Sequence, residues 1–273
     1  MNELGPGLYV VGTPIGNLGD LTPRATAVLA AAAIVAAEDT RTSGKLLKLA
    51  GGSARLVSLT EHNVAQRAPG LIEAAKERVV ALVSDAGTPV IADPGARLLE
   101  AAHAADVAVY AIPGPSAVVA AVSVSGFEGS DIHFLGFLPR SRTERIERLR
   151  DAADSATVLV FFESPNRLAR SLKELSEALN DPEVAVCREM TKLHEEVVRG
   201  RASSLAPRFA GTKGECTVVV KSPPRDRSSA ATDVAAYLAE MKRAGARRAG
   251  AATEAALRFG ISRSRAYGLW DES

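Results

Sequence analysis

Residues Val83 to Gly95, reading VSDAGTPVIADPG, combine two carboxylates with small residues and a run of punctuating glycines and prolines. An apolar run, Val79–Val83, delivers this segment, so it is expected to form a loop at the carboxyl end of a buried strand. In open α/β sheets that edge is where ligands bind. Asp85 and Asp93 can accept hydrogen bonds from ribose hydroxyls or from an ammonium group. Ala86 and Gly87 let a flat, bulky ligand approach the backbone. The same residue types also cap helices and close turns.

Two segments repeat the pattern of strand, turn and helix. In Val10–Arg24 a strand ends at Gly12, a loop of Thr13, Pro14, Ile15, Gly16 and Asn17 follows, and Thr22-Pro23 provides an N-cap and an N1 proline. Such loops present backbone N–H groups to a ligand. The segment is neither GxGxxG nor a GK[ST] loop, which disfavours a nucleoside triphosphate. In Ala111–Val118, Ser116 can cap a helix or bond a ligand carboxylate. Further polar clusters also follow strands: Glu38-Asp39-Thr40-Arg41, Glu61-His62-Asn63, Phe161–Leu168 and, less distinctly, Cys187–Lys192. The four histidines, His62, His103, His133 and His194, form no close pair, and there is no CxxC or HExxH, so no metal is expected.

The elements that must position these residues read as alternating β and α. Strands are expected at Leu8–Val11, Ile34–Ala36, Leu56–Leu59, Val79–Val83 and Val107–Ile112. Helices are expected at Thr22–Ala31, Arg41–Leu49, Gln66–Lys76 and Arg97–Ala105. This order predicts a largely parallel sheet covered on both faces. A second set of strands follows at Ile132–Leu135, Thr157–Phe162, Val184–Cys187, Glu195–Val198 and Thr217–Lys221. Its last strands are joined by short links, so antiparallel pairing is expected there. The predicted architecture is thus two α/β domains, 1–113 and 114–222, with a cleft between them. A Pro/Ser-rich linker, Ser222–Ser229, precedes a helical tail over 230–273. In that tail Phe259-Gly260-Ile261-Ser262 has the look of a helix-turn-helix turn.

Composition narrows the classes. With 273 residues and 47% hydrophobic content the chain can bury a large core. No apolar run reaches the roughly 18–20 residues of a membrane span, and Met1–Val11 lacks the regions of a signal peptide. A cytoplasmic location follows as the expectation. Cys187 and Cys216 are expected as buried thiols. Net charge is +1, yet between Met241 and Arg265 seven basic residues face one acid, Glu254. Pro139–Arg150 is also rich in arginine. Such local positive fields attract phosphate backbones.

The ordered motifs GTPIGNLGDLTPRA, AEDTR, EHN, VSDAGTPVIADPG, IPGPSA, FLGFLPR, FFESPNRL and CREMTKLHEE resemble the ribosomal RNA small-subunit methyltransferase I family of the tetrapyrrole-methylase superfamily. The match runs from about Gly7 to Lys221, and the tail resembles the small helical appendage of that family. The resemblance implies a class III fold with S-adenosylmethionine between two α/β domains. It also implies a homodimer that 2′-O-methylates a cytidine of 16S ribosomal RNA in the small subunit. By position, Gly12, Thr13, Pro14, Ile15, Asp85, Ala86, Gly87, Thr88, Pro89, Val90, Ile91, Ser116 and Ala117 are expected to line the cofactor pocket. Asp39, Glu61, His62 and Glu163 are the candidates for a general base, and the sequence does not choose among them. Arg41, Arg140, Arg142, Arg167, Arg247, Arg248, Arg263 and Arg265 are candidates for RNA phosphates. Where cobalamin-pathway relatives carry Gly-Asp-Pro, this chain has Gly87-Thr88-Pro89, which moves the expectation away from a tetrapyrrole. The alternatives are a precorrin-type C-methyltransferase and a non-catalytic nucleic-acid-binding regulator.

Overall fold

A computed structural model describes residues 4–153, 155–222, 227–259 and 263–272. The chain divides into two compact units, Met1–Pro223 and Pro224–Ser273.

The first unit contains two five-stranded sheets. Sheet one is built from β1 (Gly7–Val11), β2 (Ile34–Ala37), β3 (Arg55–Ser58), β4 (Val79–Val83) and β5 (Val109–Ile112), in the order β3-β2-β4-β1-β5. Every pairing in it is parallel. Each residue of β2 and of β4 is buried, because helices cover both faces of these inner strands. On one face lie α1 (Pro23–Ala31) and α2 (Thr40–Leu49), which contribute Val28, Leu29, Leu46 and Leu47 to the core. On the other lie α3 (Val64–Glu77) and α4 (Ala96–Ala104), with Leu71, Ile72 and Leu98. As expected, the Thr22 side chain caps α1, its hydroxyl accepting from the Ala25 N–H at 3.1 Å.

The helix after β1 and the helix after β4 cover opposite faces, while β1 and β4 are neighbours. Their carboxyl ends therefore diverge and leave a crevice between them, the switch point of an open α/β sheet.

From β5 the chain enters α5 (Ala117–Ser125) and then β6 (Ile132–Phe137), α6 (Arg142–Ala153), β7 (Val158–Glu163), α7 (Pro165–Ala178), β8 (Glu183–Arg188), β9 (Glu196–Arg201), α8 (Ala202–Leu205) and β10 (Cys216–Lys221). Sheet two has the order β6-β7-β10-β8-β9. Only β6 and β7 run parallel. The β8–β9 pair is antiparallel, as its short link predicts, and β10 inserts antiparallel to both neighbours between β7 and β8. One face packs on α6, α7 and α8, and the other packs on α5. Ile15, from the loop after β1, enters the α5-side core and ties the two sheets together.

The second unit holds α9 (Arg227–Arg243), α10 (Arg248–Phe259) and α11 (Arg263–Glu272) around Val234, Leu238, Ala252, Ala255 and Trp270. Arg227 to Ser229, expected in the linker, belong to α9. Serine is tolerated in the first turn of a helix. The anticipated turn at 260–262 lies outside the described residues.

Candidate active site

Three loops at the carboxyl edge of sheet one are bonded into a wall. The backbones of Thr13 and Gly87 exchange hydrogen bonds at 2.8 and 3.1 Å, and the Thr13 hydroxyl donates to the Ser84 and Gly87 carbonyls at 3.2 Å. Gly12 and Gly114 touch so closely that a Cβ on Gly12 would stand 2.7 Å from Gly114 Cα, so neither position admits a side chain. Thr88 Oγ1 donates to the Pro115 carbonyl at 3.3 Å. Within the loop after β4, Val90 and Ala92 hold φ of 75° and 66°. For non-glycine residues this left-handed backbone costs about 1–3 kcal/mol each and is typical of ligand clamps.

In front of this wall opens a cavity of about 440 Å³. That is within the range of roughly 300–1,000 Å³ typical of small-molecule sites. Of the expected cofactor set, Ile15, Asp85, Ala86, Gly87, Thr88, Ile91, Ser116 and Ala117 line it. Gly12, Thr13, Pro14, Pro89 and Val90 do not. Thr13 is only 1% exposed and, like Gly12, builds the wall behind the cavity. Ser116 occupies the N-cap position of α5 without bonding its helix, which leaves its hydroxyl available to a ligand.

Sheet two supplies the facing side. Phe137, Phe162, Glu163, Ser164, Met190, Glu215, Cys216 and Thr217 line the cavity, and of these only Glu163 stands among the expected site residues. The β-bulge between Phe134 and Phe137 re-aims the end of β6, leaving Phe137 60% exposed against the Phe162 ring at 5.6 Å. The signal missed was the antiparallel return of β10, which brings residues 214–217 beside β7 and cannot be read from local spacing. Burial pushes the Cys187 and Cys216 thiols up to about 11, so both are inert, apolar fillers.

The four base candidates do not converge. Asp39 caps α2 by accepting the Arg41 N–H at 2.8 Å, and its carboxylate also holds the Arg41 guanidinium at 2.8–3.1 Å. The Arg41 side chain and backbone hold its pKa down at about 2, which leaves it a weak proton acceptor. Glu163 is buried and accepts from Ser171 Oγ at 2.6 Å and the Ser164 N–H at 2.8 Å, with Arg167 Nε 3.3 Å away. Glu61 and His62 are exposed on the loop after edge strand β3 and do not line the cavity.

The expected RNA arginines also divide. Arg41 and Arg140 are exposed, as is Arg247 in the tail. Arg142 pairs with Glu177 at 2.6 Å. Arg167 turns inward, donating to the Leu138 and Pro139 carbonyls at 3.0 Å. Arg248 pairs with Asp271 and lies over the Tyr267 ring. The side chains of Arg263 and Arg265 lie outside the described residues.

A parallel sheet with a ligand crevice at its switch point, facing a mixed sheet across a cavity, defines a two-sheet α/β protein with a small-molecule site. Residues 7–206 match the family model of tetrapyrrole (corrin/porphyrin) methylases. The ribosomal RNA small subunit methyltransferase I of Thermotoga maritima is 45% identical over 78% of this chain and 97% of its own length. That of Mycobacterium tuberculosis is 44% identical over 85% of this chain and 84% of its own. Among solved structures, uroporphyrin-III-C-methyltransferase from Thermus thermophilus superposes with a TM-score of 0.55 at 25% identity, over 79% of this chain and 94% of that one. The cobalt precorrin-4 methyltransferase has a TM-score of 0.60 at 20% identity, over 78% and 93%, which speaks to the fold alone. The chain belongs to the tetrapyrrole methylase family, and within it to the ribosomal RNA small subunit methyltransferase I group. Its methyl donor is S-adenosylmethionine.

The cavity fits that donor. Gly87, with φ of 79°, brings bare backbone to the cavity floor. Asp85 and Glu215 offer negative charge to a sulfonium and an ammonium, and the remaining lining is largely apolar. No cluster of metal-ligating side chains is found among the described residues. No helix there is long and apolar enough to cross a membrane.

Proposed function

We propose that this protein transfers a methyl group to the ribose O2′ of a cytidine in 16S ribosomal RNA of the small subunit. The observation that carries the reading is the identity of 42–46% to several proteins named ribosomal RNA small subunit methyltransferase I, over about four-fifths of the chain. When bound, S-adenosylmethionine supplies a methyl carbon already activated on a positive sulfur. The work left to the protein is therefore alignment, water exclusion and acceptance of a proton. The stitched loops of sheet one hold the donor side of the cavity in place. Phe137 offers an exposed aromatic face at the cavity mouth, the kind of surface on which an unstacked RNA base settles. Arg140, three residues further on, is exposed and can meet a phosphate, and within the tail Arg247 is exposed as well.

A cytoplasmic homodimer is part of the same reading. Helix α5 is almost wholly apolar yet leaves Val119 and Val124 exposed, which supports a contact between copies.

Purified protein, labelled S-adenosylmethionine and small ribosomal subunits from cells lacking this protein test the reading. Mass spectrometry of the nuclease digest should find one labelled ribose, on a cytidine. Label in a base, or none, would overturn it.

A further inference from the structure

Four carboxylates line the cavity: Asp85, Asp93, Glu163 and Glu215. Three are engaged by donors that fix them. Asp85 accepts the Asp39 N–H at 3.1 Å. Glu163 is held by Ser171, Ser164 and Arg167. Glu215 binds the Lys192 ammonium at 2.7 Å. Among the described residues neither a cation nor a backbone N–H holds Asp93; the nearby Ser84 hydroxyl, which lowers its pKa, also reaches the Ala86 and Gly87 carbonyls at 3.3 Å. It sits on the strained loop after β4, two residues beyond Ile91, which also lines the cavity.

We infer that Asp93 is the proton acceptor of the methyl transfer, an assignment that rests on the O2′ reading above. A ribose hydroxyl is a poor nucleophile at neutral pH, and a positioned base contributes about 10²–10⁴-fold. In the step, O2′ forms a bond to the methyl carbon while the carbon–sulfur bond breaks and its electron pair stays on sulfur. The hydroxyl proton passes to an Asp93 carboxylate oxygen and from there to water.

The electrostatics of the loop suit this role. Burial raises the Asp93 pKa to about 6, and the negative charges of Glu38 at the end of β2 and Asp85 at the end of β4 push in the same direction. The Ser84 hydroxyl opposes them. Arg41 is held by Asp39, and Glu163 and Glu215 add only negative charge from the opposite wall. The carboxylate is ionised at neutral pH, yet it is a stronger base than an ordinary aspartate.

The test uses the full chain with Asp93→Asn, read by calorimetry with S-adenosylmethionine and by single-turnover methyl transfer to small subunits between pH 5 and 8.5. The variant should bind the cofactor within about threefold of wild type and lose at least about 100-fold in transfer rate. The wild-type rate should climb with pH through an apparent pKa near 6, and the variant should lose that rise. A variant within a few-fold of wild type, or one retaining the rise, overturns the assignment. A variant that no longer binds the cofactor also overturns it, since Asp93 would then be holding the donor. Wild-type protein that labels no ribose overturns the substrate reading and this role with it, whereas wild-type labelling matched by the variant removes Asp93 alone.

Discussion

Two aspartates on neighbouring strand ends have opposite acidities, and their partners explain why. Asp39 lies beside the Arg41 guanidinium and a helix N-terminus, both of which favour the charged form. Asp93 is half-buried beside two other carboxylates, which favour the neutral form. A raised carboxylate pKa carries a stability cost. The cost is absent below the unfolded value near 3.8, grows as pH rises, and is complete above the folded value of about 6. Asp93→Asn should therefore stabilise the fold by roughly 1 kcal/mol at pH 8, after allowance for solvent screening, and by nothing at pH 3.5. Thermal unfolding at the two pH values checks this. An equal effect at both would mean that the charge is not the cause. The identity of Asp93 as a polar group in a ligand loop was legible from its spacing. Its acidity was not, because Glu38 lies 55 residues away along the chain and is brought near only by the β2–β4 pairing.

At the level of elements, α6 shows how a basic stretch can serve the interior. Read in sequence, Pro139–Arg150 is a field for phosphate. In the fold, Arg145 is 1% exposed, its guanidinium bonded to Glu174 of α7 at 2.5–2.6 Å and to the Pro139 carbonyl at 2.5 Å. Arg148 donates to the Leu135 carbonyl at 3.0 Å. With Arg167 these side chains clamp the end of β6 and the loop after it, the stretch in which Phe137 lines the cavity and Arg140 is exposed. A buried ion pair broken on one side leaves a charge stranded. Glu174→Ala should thus cost about 3–5 kcal/mol in denaturant unfolding, and Arg145→Met combined with Glu174→Met should recover much of that loss. A double variant worse than the single one would show that the pair itself is the stabilising unit. The inward turn of these arginines has no local signature, because an exposed and a buried arginine on a helix share the same spacing.

In the proposed function the first unit supplies alignment and chemistry, and the second supplies part of the RNA affinity. Arg243 and Arg247 are exposed in the tail. Replacing both with Gln should lower the log–log salt dependence of RNA binding by roughly 1.4, for two phosphates at about 0.7 each on a single strand, while cofactor affinity stays unchanged. An unchanged slope in filter binding across a salt series would remove the tail from the RNA contact. At this scale local periodicity, turn residues and contiguous motifs suffice for the parallel sheet, the antiparallel pairing of β8 with β9, the three ligand loops and the methylase family. Tertiary structure alone decided which of those residues face the cavity, which carboxylates are already bound, and that Phe137, Glu215 and Cys216 complete the site. Those outcomes depend on strand order and on the approach of chain segments far apart in sequence, where one residue's neighbours set its exposure and its charge.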